Sequence, residues 1–308
     1  MQLYKYVNMK NVSLVISMLL FMMSAAISQE ELSPYFKVAE IEKSVKEVSL
    51  QLTEAIKGGG FDIIGEYHPA NSDSLTVICF TNDELRKLSL EFKDRGALAS
   101  VLKAAIVEKD DRIIVSILNP EYMFLAYWGE QSEGQEQKLT EMSDKVKAIF
   151  SPFGSMEPFG GLVKASDLPR YHYMMMMPYF DDPEELNEFE SFEAGLKVIR
   201  KNLEAGKGNT VSVYEQVFEN EKIAVFGVGL WDKEEGEAHF LPIVGKDHIA
   251  NLPYEIILQG NKVTMLHGKY RIAIYWPELK MGTFMKISST PGNIEDVMEG
   301  LTVEDIDG

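Results

Sequence analysis

Tyr122-Met-Phe-Leu-Ala-Tyr-Trp128 and Tyr270-Arg-Ile-Ala-Ile-Tyr-Trp276 lie about 150 residues apart and share one frame, a tyrosine followed five residues later by Tyr-Trp. The residues between are of strand type, so each stretch reads as a strand. The match continues upstream. Ile106, Asp111, Arg112 and Ile113 fall opposite Ile256, Asn261, Lys262 and Val263 without a gap, and a two-residue gap then aligns Tyr122 with Tyr270. This is the signature of a duplicated domain; a single mixed domain is the competing reading.

Outward from these stretches the two halves run in the same order. In the first, Pro34–Ile41 alternates as a strand, and Val45, Val48, Leu50, Leu52 and Ile56 form a rough helical stripe closed by Gly58-Gly59-Gly60. Phe61–Tyr67 and Ser74–Phe80 read as strands, a helix starts near Asp83, and Leu102–Val107 with Arg112–Leu118 forms a hairpin. Residues 133–150 are amphipathic. In the second, Tyr171–Tyr179 is the expected opening strand, followed by the acidic turn Asp181-Asp-Pro-Glu-Glu185 and a helix with the stripe Phe189, Phe192, Leu196, Ile199, Leu203. Hairpins follow at 210–231 and 254–267, then strands at 271–276 and 283–287 and a closing helix at 294–301. The expected fold is therefore α+β: two related units, each a mainly antiparallel sheet with helices packed on one face. The expected boundaries are a signal peptide at 1–28, a first unit at 29–150, a Pro/Gly-rich linker at 151–169 and a second unit at 170–308.

The signal peptide rests on Lys10, the apolar run Val12–Met23 and small residues before a cut after Ser28. The run is short for a membrane span, which needs about 20 residues, so the chain is expected to be exported to the periplasm or outside the cell without a stable anchor. An uncleaved anchor is the alternative. The formal net charge is −18, or −20 without residues 1–28. Such a surface repels nucleic acid; it keeps the chain soluble, or, on a sharper reading, collects cations. The single cysteine, Cys79, excludes an internal disulfide and sits in an apolar strand, where a buried thiol is expected.

Gly60-Phe61-Asp-Ile-Ile-Gly-Glu66 after a helix, an apolar strand ending near Thr81-Asn82, and a strand ending Ser116-Ile-Leu-Asn119-Pro120 together resemble the bacterial domain of unknown function 302 family. The likeness spans roughly residues 34–128; the second half follows only through the internal repeat. The resemblance implies a small α+β domain that self-associates, here as an internal pseudo-dimer or a homo-oligomer, and no particular reaction. The family cysteine falls at Thr81, so no thiol role carries over there.

Two constellations invite chemistry. Tyr122, Tyr127, Trp128, Tyr270, Tyr275 and Trp276 are candidates to line a small-molecule cleft between the repeats; the bland reading is sheet packing. His172, Met174 and Met176, sharing a strand face, are candidates for a Cu(I)-type metal site, with His267, Met265, Met281 and Met285 as further ligands if folding brings them close. Filling of a buried strand by methionine is the competing reading. Glu66, His68 and Asp73 around one turn suggest a hydrolase built on a carboxylate–histidine pair. No phosphate loop, nucleophile elbow or haem-attachment motif is present, and no cofactor is expected. The reading these features favour is an exported, non-catalytic binding or assembly protein, with periplasmic metal handling as its rival. N-terminal sequencing of the protein recovered from the cell envelope or medium should return Gln29-Glu30-Glu31; a chain still starting at or before Met9 contradicts the signal.

Overall fold

The computed structural model describes residues 30–304, so the expected signal peptide lies outside the described residues. A two-residue strand β1 (Glu31–Leu32) leads into the first unit: β2 (Tyr35–Ile41), α1 (Val45–Gly58), β3 (Asp62–Tyr67), β4 (Leu75–Thr81), α2 (Asp83–Leu90), β5 (Leu102–Lys109), β6 (Arg112–Leu118), α3 (Pro120–Trp128) and α4 (Glu136–Phe150). Short strands β7 (Glu157–Phe159) and β8 (Val163–Lys164) connect to the second unit. That unit runs β9 (Glu184–Glu188), α5 (Phe192–Glu204), β10 (Thr210–Phe218), β11 (Ile223–Leu230), α6 (Glu237–Val244), β12 (Tyr254–Gln259), β13 (Lys262–Met265), α7 (Gly268–Tyr275), α8 (Met281–Phe284) and α9 (Thr290–Gly300).

The sheets repeat as well. The first has order β3-β4-β5-β6-β2-β7 and the second β10-β11-β12-β13-β9, antiparallel throughout. Position for position, the first five strands of one match the five of the other. The hairpin tips obey the sequence alignment: Lys109 opposes Arg112 as Gln259 opposes Lys262. Each unit is thus a mainly antiparallel sheet with helices on one face, an α+β fold.

Local chemistry explains the helices that were legible. Ser44 and Glu47 form a reciprocal capping box at α1, and Val48, Leu52 and Ile56 bury its apolar stripe. Asn82 accepts from the Leu85 amide at α2, and Ser191 from the Ala194 amide at α5. On the first sheet, Phe80 of β4 meets Phe150 of α4 at 6.0 Å. The adjacent Cys79 points to the opposite face, toward the other unit, and burial pushes its thiol up to about 12.

Several expected strands are helical or irregular instead. Tyr122–Trp128 and Tyr270–Trp276 fall in α3 and α7, not in strands. Pro120 at the first turn of α3 and the His267 ring accepting from the Lys269 amide at α7 start helices. Both are buried nearly all round, so neither shows a helical stripe, and a short apolar run reads alike as strand or buried helix. Tyr171–Tyr179 forms turns, closed by the Met177 amide on the Met174 carbonyl, with Met176 at φ 70°. The opening strand of the second unit is β9, which overlaps the stretch read as an acidic turn. Residues 283–287 are helical rather than extended. Residues 151–169 are strapped to the first unit: β7 pairs with β2, and β8 with β1.

The units meet across a local pseudo-twofold axis. The edge strands β3 and β10 approach so closely that a Cβ on Gly65 would run into the backbone carbonyl of Val213. Glycine is required there because no side-chain movement relieves a clash with backbone. Gly65→Ala should therefore cost about 2 kcal/mol or more in urea unfolding; an unchanged midpoint would show that the strands are free to part.

Candidate functional site

The repeated motif builds the junction. The Tyr122 hydroxyl donates to the Ile274 carbonyl (2.7 Å), and the Tyr270 hydroxyl donates to the Ala126 carbonyl (3.3 Å). Each acceptor lies in the last turn of the opposite helix, where carbonyls lack an intrahelical partner, so each tyrosine caps the other unit's helix. On the axis, the hydroxyls of the equivalent Tyr127 and Tyr275 meet at 2.6 Å. Burial pushes the pKa of all four phenols up, so they stay neutral donors and acceptors.

The tryptophans do different work. Trp128 is sandwiched between Phe92 and Phe124, with centroids at 4.2 and 4.4 Å, and its indole nitrogen donates to the Gly96 carbonyl. Trp276 packs by His248 at 5.7 Å. All six aromatic candidates are buried. They are mainly scaffold, but Tyr127 and Trp128 form the inner wall of a crevice of about 200 Å³ between the end of α3 and residues 169–181.

Three carboxylates from three segments rim this crevice: Asp94, Glu130 and Asp181. Its aromatic walls include Tyr171, Tyr179 and Phe180. Phe180 lies 5.1 Å from Tyr127 and carries the buried Arg95 guanidinium 5.1 Å from its ring centroid. Arg95 bonds Asp94 at 2.8 Å, and both residues hold positive φ in the turn after α2. Arg170 spans the mouth, 3.6 Å from Glu130 and 5.9 Å from the Tyr179 centroid. Cation, carboxylate and ring are thus already assembled there by the protein's own side chain. Of these residues, only Tyr127 and Trp128 belong to the repeated motif. Asp181 was visible as part of an acidic run, but Asp94, Glu130, Arg170, Tyr179 and Phe180 belong to no motif and meet only through the fold.

The candidate metal set is dispersed in role. The His172 ring stacks on Tyr179 at 4.3 Å. Met176 is 95% exposed, and Met174 is half exposed beside a different, apolar cavity. His267 caps α7 and lies 3.1 Å from Glu184; burial pulls its pKa down while Glu184 opposes that. The strand face expected to align His172, Met174 and Met176 does not exist. Among the described residues no three His, Cys, Asp or Glu side chains are grouped to hold a metal. Of the carboxylate–histidine pair, Glu66 accepts from Ser49 and the His68 ring nitrogen faces the Leu75 carbonyl and Thr76 hydroxyl, so the two have separate partners.

The junction also buries charge. Lys103 of β5 pairs with Glu255 of β12, Arg271 stands 3.9 Å from Glu255 and 3.6 Å from the Tyr254 centroid, and Tyr214 donates to Glu255 at 3.3 Å. Farther along, Glu237 of α6 accepts from Tyr67 (3.2 Å) and the Ala70 amide (2.7 Å) of the first unit and from the Leu230 amide (3.1 Å) of its own. Burial outweighs these donors and pushes its carboxyl up to about 7.

No family model matches this chain, and no curated protein matches it. Among solved structures it is similar to the crystal structure of an uncharacterized conserved protein DUF302 from Bacillus stearothermophilus, at 8% identity and a TM-score of 0.34, over 39% of this chain and 98% of that one. No helix among the described residues is long and apolar enough to cross a membrane.

Glu237 binds its proton more tightly in the folded protein than in the unfolded chain. Its contribution is complete below the ordinary carboxyl pKa and is lost as pH rises through about 7. The loss is on the order of 3 kcal/mol. The stability of Glu237→Gln relative to wild type should therefore rise between pH 5 and pH 8 in urea unfolding. A pH-independent difference would place the proton elsewhere.

Proposed function

We propose that this chain is an exported, tandem relative of the domain of unknown function 302 family that binds a small organic cation at the junction of its units, without catalysis. Arg170 carries the reading: its guanidinium lies between Glu130 and the ring of Tyr179, in a crevice rimmed by two further carboxylates. A ligand ammonium or guanidinium that displaces this flexible, largely exposed arm meets the same ring and carboxylates. The acidic surface favours cation approach. At about 200 Å³ the crevice suits a ligand smaller than the drug-sized molecules that fill pockets of roughly 300–1,000 Å³. Family kinship is supported by the Gly60–Glu66 stretch and the element order of the first unit.

Thermal shift and calorimetry with choline, agmatine and tetramethylammonium test the proposal. At least one should raise the melting temperature, Glu130→Gln and Asp181→Asn should weaken it, and Arg170→Ala should strengthen it by removing the internal competitor. If no cation stabilises either wild type or Arg170→Ala, or if glutamate stabilises equally well, the reading fails.

A further inference from the structure

The methionine run leaves a feature that the crevice does not use. Met174 and Met177, from the turns before β9, line one cavity of about 60 Å³ together with Met281 of α8. Next in the chain to lining residues, Met175 is 84% exposed, Met176 95% and Met285 62%. Side chains so exposed contribute almost nothing to a core, so packing does not account for them. The cavity walls carry rings and aliphatic groups, Trp276 and Phe284 among them, and one amine, Lys269, but no carboxylate, imidazole or hydroxyl apart from the phenol of Tyr173. Hard cations such as Mg²⁺ and Ca²⁺ need oxygen ligands that are missing from this wall. The volume holds a few waters' worth of space, far below that of an organic-ligand pocket. Uncharged thioethers from separate segments around a small apolar space match a soft monovalent ion, because thioether sulfur selects Cu(I) over harder metals.

We infer that Met174, Met177 and Met281 form a thioether site for Cu(I), with the exposed Met175, Met176 and Met285 as neighbouring donors for capture. The site takes the ion already reduced, so binding involves no electron transfer. His172 is not part of it: its ring is stacked on Tyr179 and does not line this cavity. Trp276 does line it, and therefore reports occupancy.

Anaerobic titration of the full chain with Cu(I), against a chromophoric chelator with ascorbate present, tests this, and Ag(I) serves as an air-stable probe. One ion should bind with Kd below about 1 µM and change the tryptophan emission. The triple variant Met174→Leu, Met177→Leu, Met281→Leu, whose substitutions conserve volume, should keep the wild-type melting temperature and weaken binding by about tenfold or more. His172→Ala should bind as wild type does. No Cu(I) binding in the micromolar range, equal affinity in the triple leucine variant, or loss of binding in His172→Ala would each overturn the assignment. Should the triple variant fail to fold, Met281→Leu alone decides the question, since Met281 is half exposed and its loss must still lower affinity.

Discussion

Two phenol hydroxyls crossing between the halves are the constraint on which the rest of this molecule depends. Tyr122 and Tyr270 lie in a dry junction, where an unpaired hydroxyl costs about 1–3 kcal/mol. The carbonyls of Ala126 and Ile274, at the ends of short buried helices, face the same penalty. Each group meets the other's need only if the second copy is present in one orientation. Helices α3 and α7 are too short to be stable alone, and nearly every side chain they carry is buried. The motif is therefore conditional: it forms its structure against its own repeat.

Around this symmetric centre the copies have diverged. A perfect dimer would place the same residue on both sides of the axis, so that Gly65 would face glycine or Val213 would face valine. Here the glycine of one edge accommodates the backbone of the other. The buried ion pair is likewise one-sided: Lys103 comes from the first unit and Glu255 from the second. A lone buried charge is costly, and removing one partner of such a pair typically costs 3–5 kcal/mol, so these differences also tie each half to its complement. The crevice and the methionine cavity extend the same divergence. Both are lined in part by the stretch 169–181 leading into β9, whose methionines and Asp181 have no counterpart among the described residues before β2, 30–34.

The legibility of all this in the sequence was uneven, for physical reasons. Helices α1 and α5 are legible through a one-sided stripe, because one face of each meets solvent. The hairpins were legible through alternation and polar tips such as Asp110-Asp111 and Gly260-Asn261. Helices α3 and α7 were misread because periodicity requires a wet face, and theirs is missing. Tyr171–Tyr179 was misread because four methionines in a row fit a buried strand by composition, while the turn at Met176 leaves no mark in residue type. The repeat itself marks the junction, because its tyrosines are the residues that cross it. It does not mark the crevice, since Asp94, Glu130 and Asp181 come from loops whose meeting depends on tertiary contacts alone.

The strapping of residues 151–169 along the first sheet has a further consequence. A dimer of separate chains comes apart on dilution, because its association is bimolecular. Here the segment joining the copies is pinned by β7 and β8, so the second unit is delivered next to its partner at an effective concentration that does not depend on how much protein is present. The tyrosine junction and the crevice beside it are therefore insensitive to scarcity, so one molecule alone in a large volume remains fully assembled.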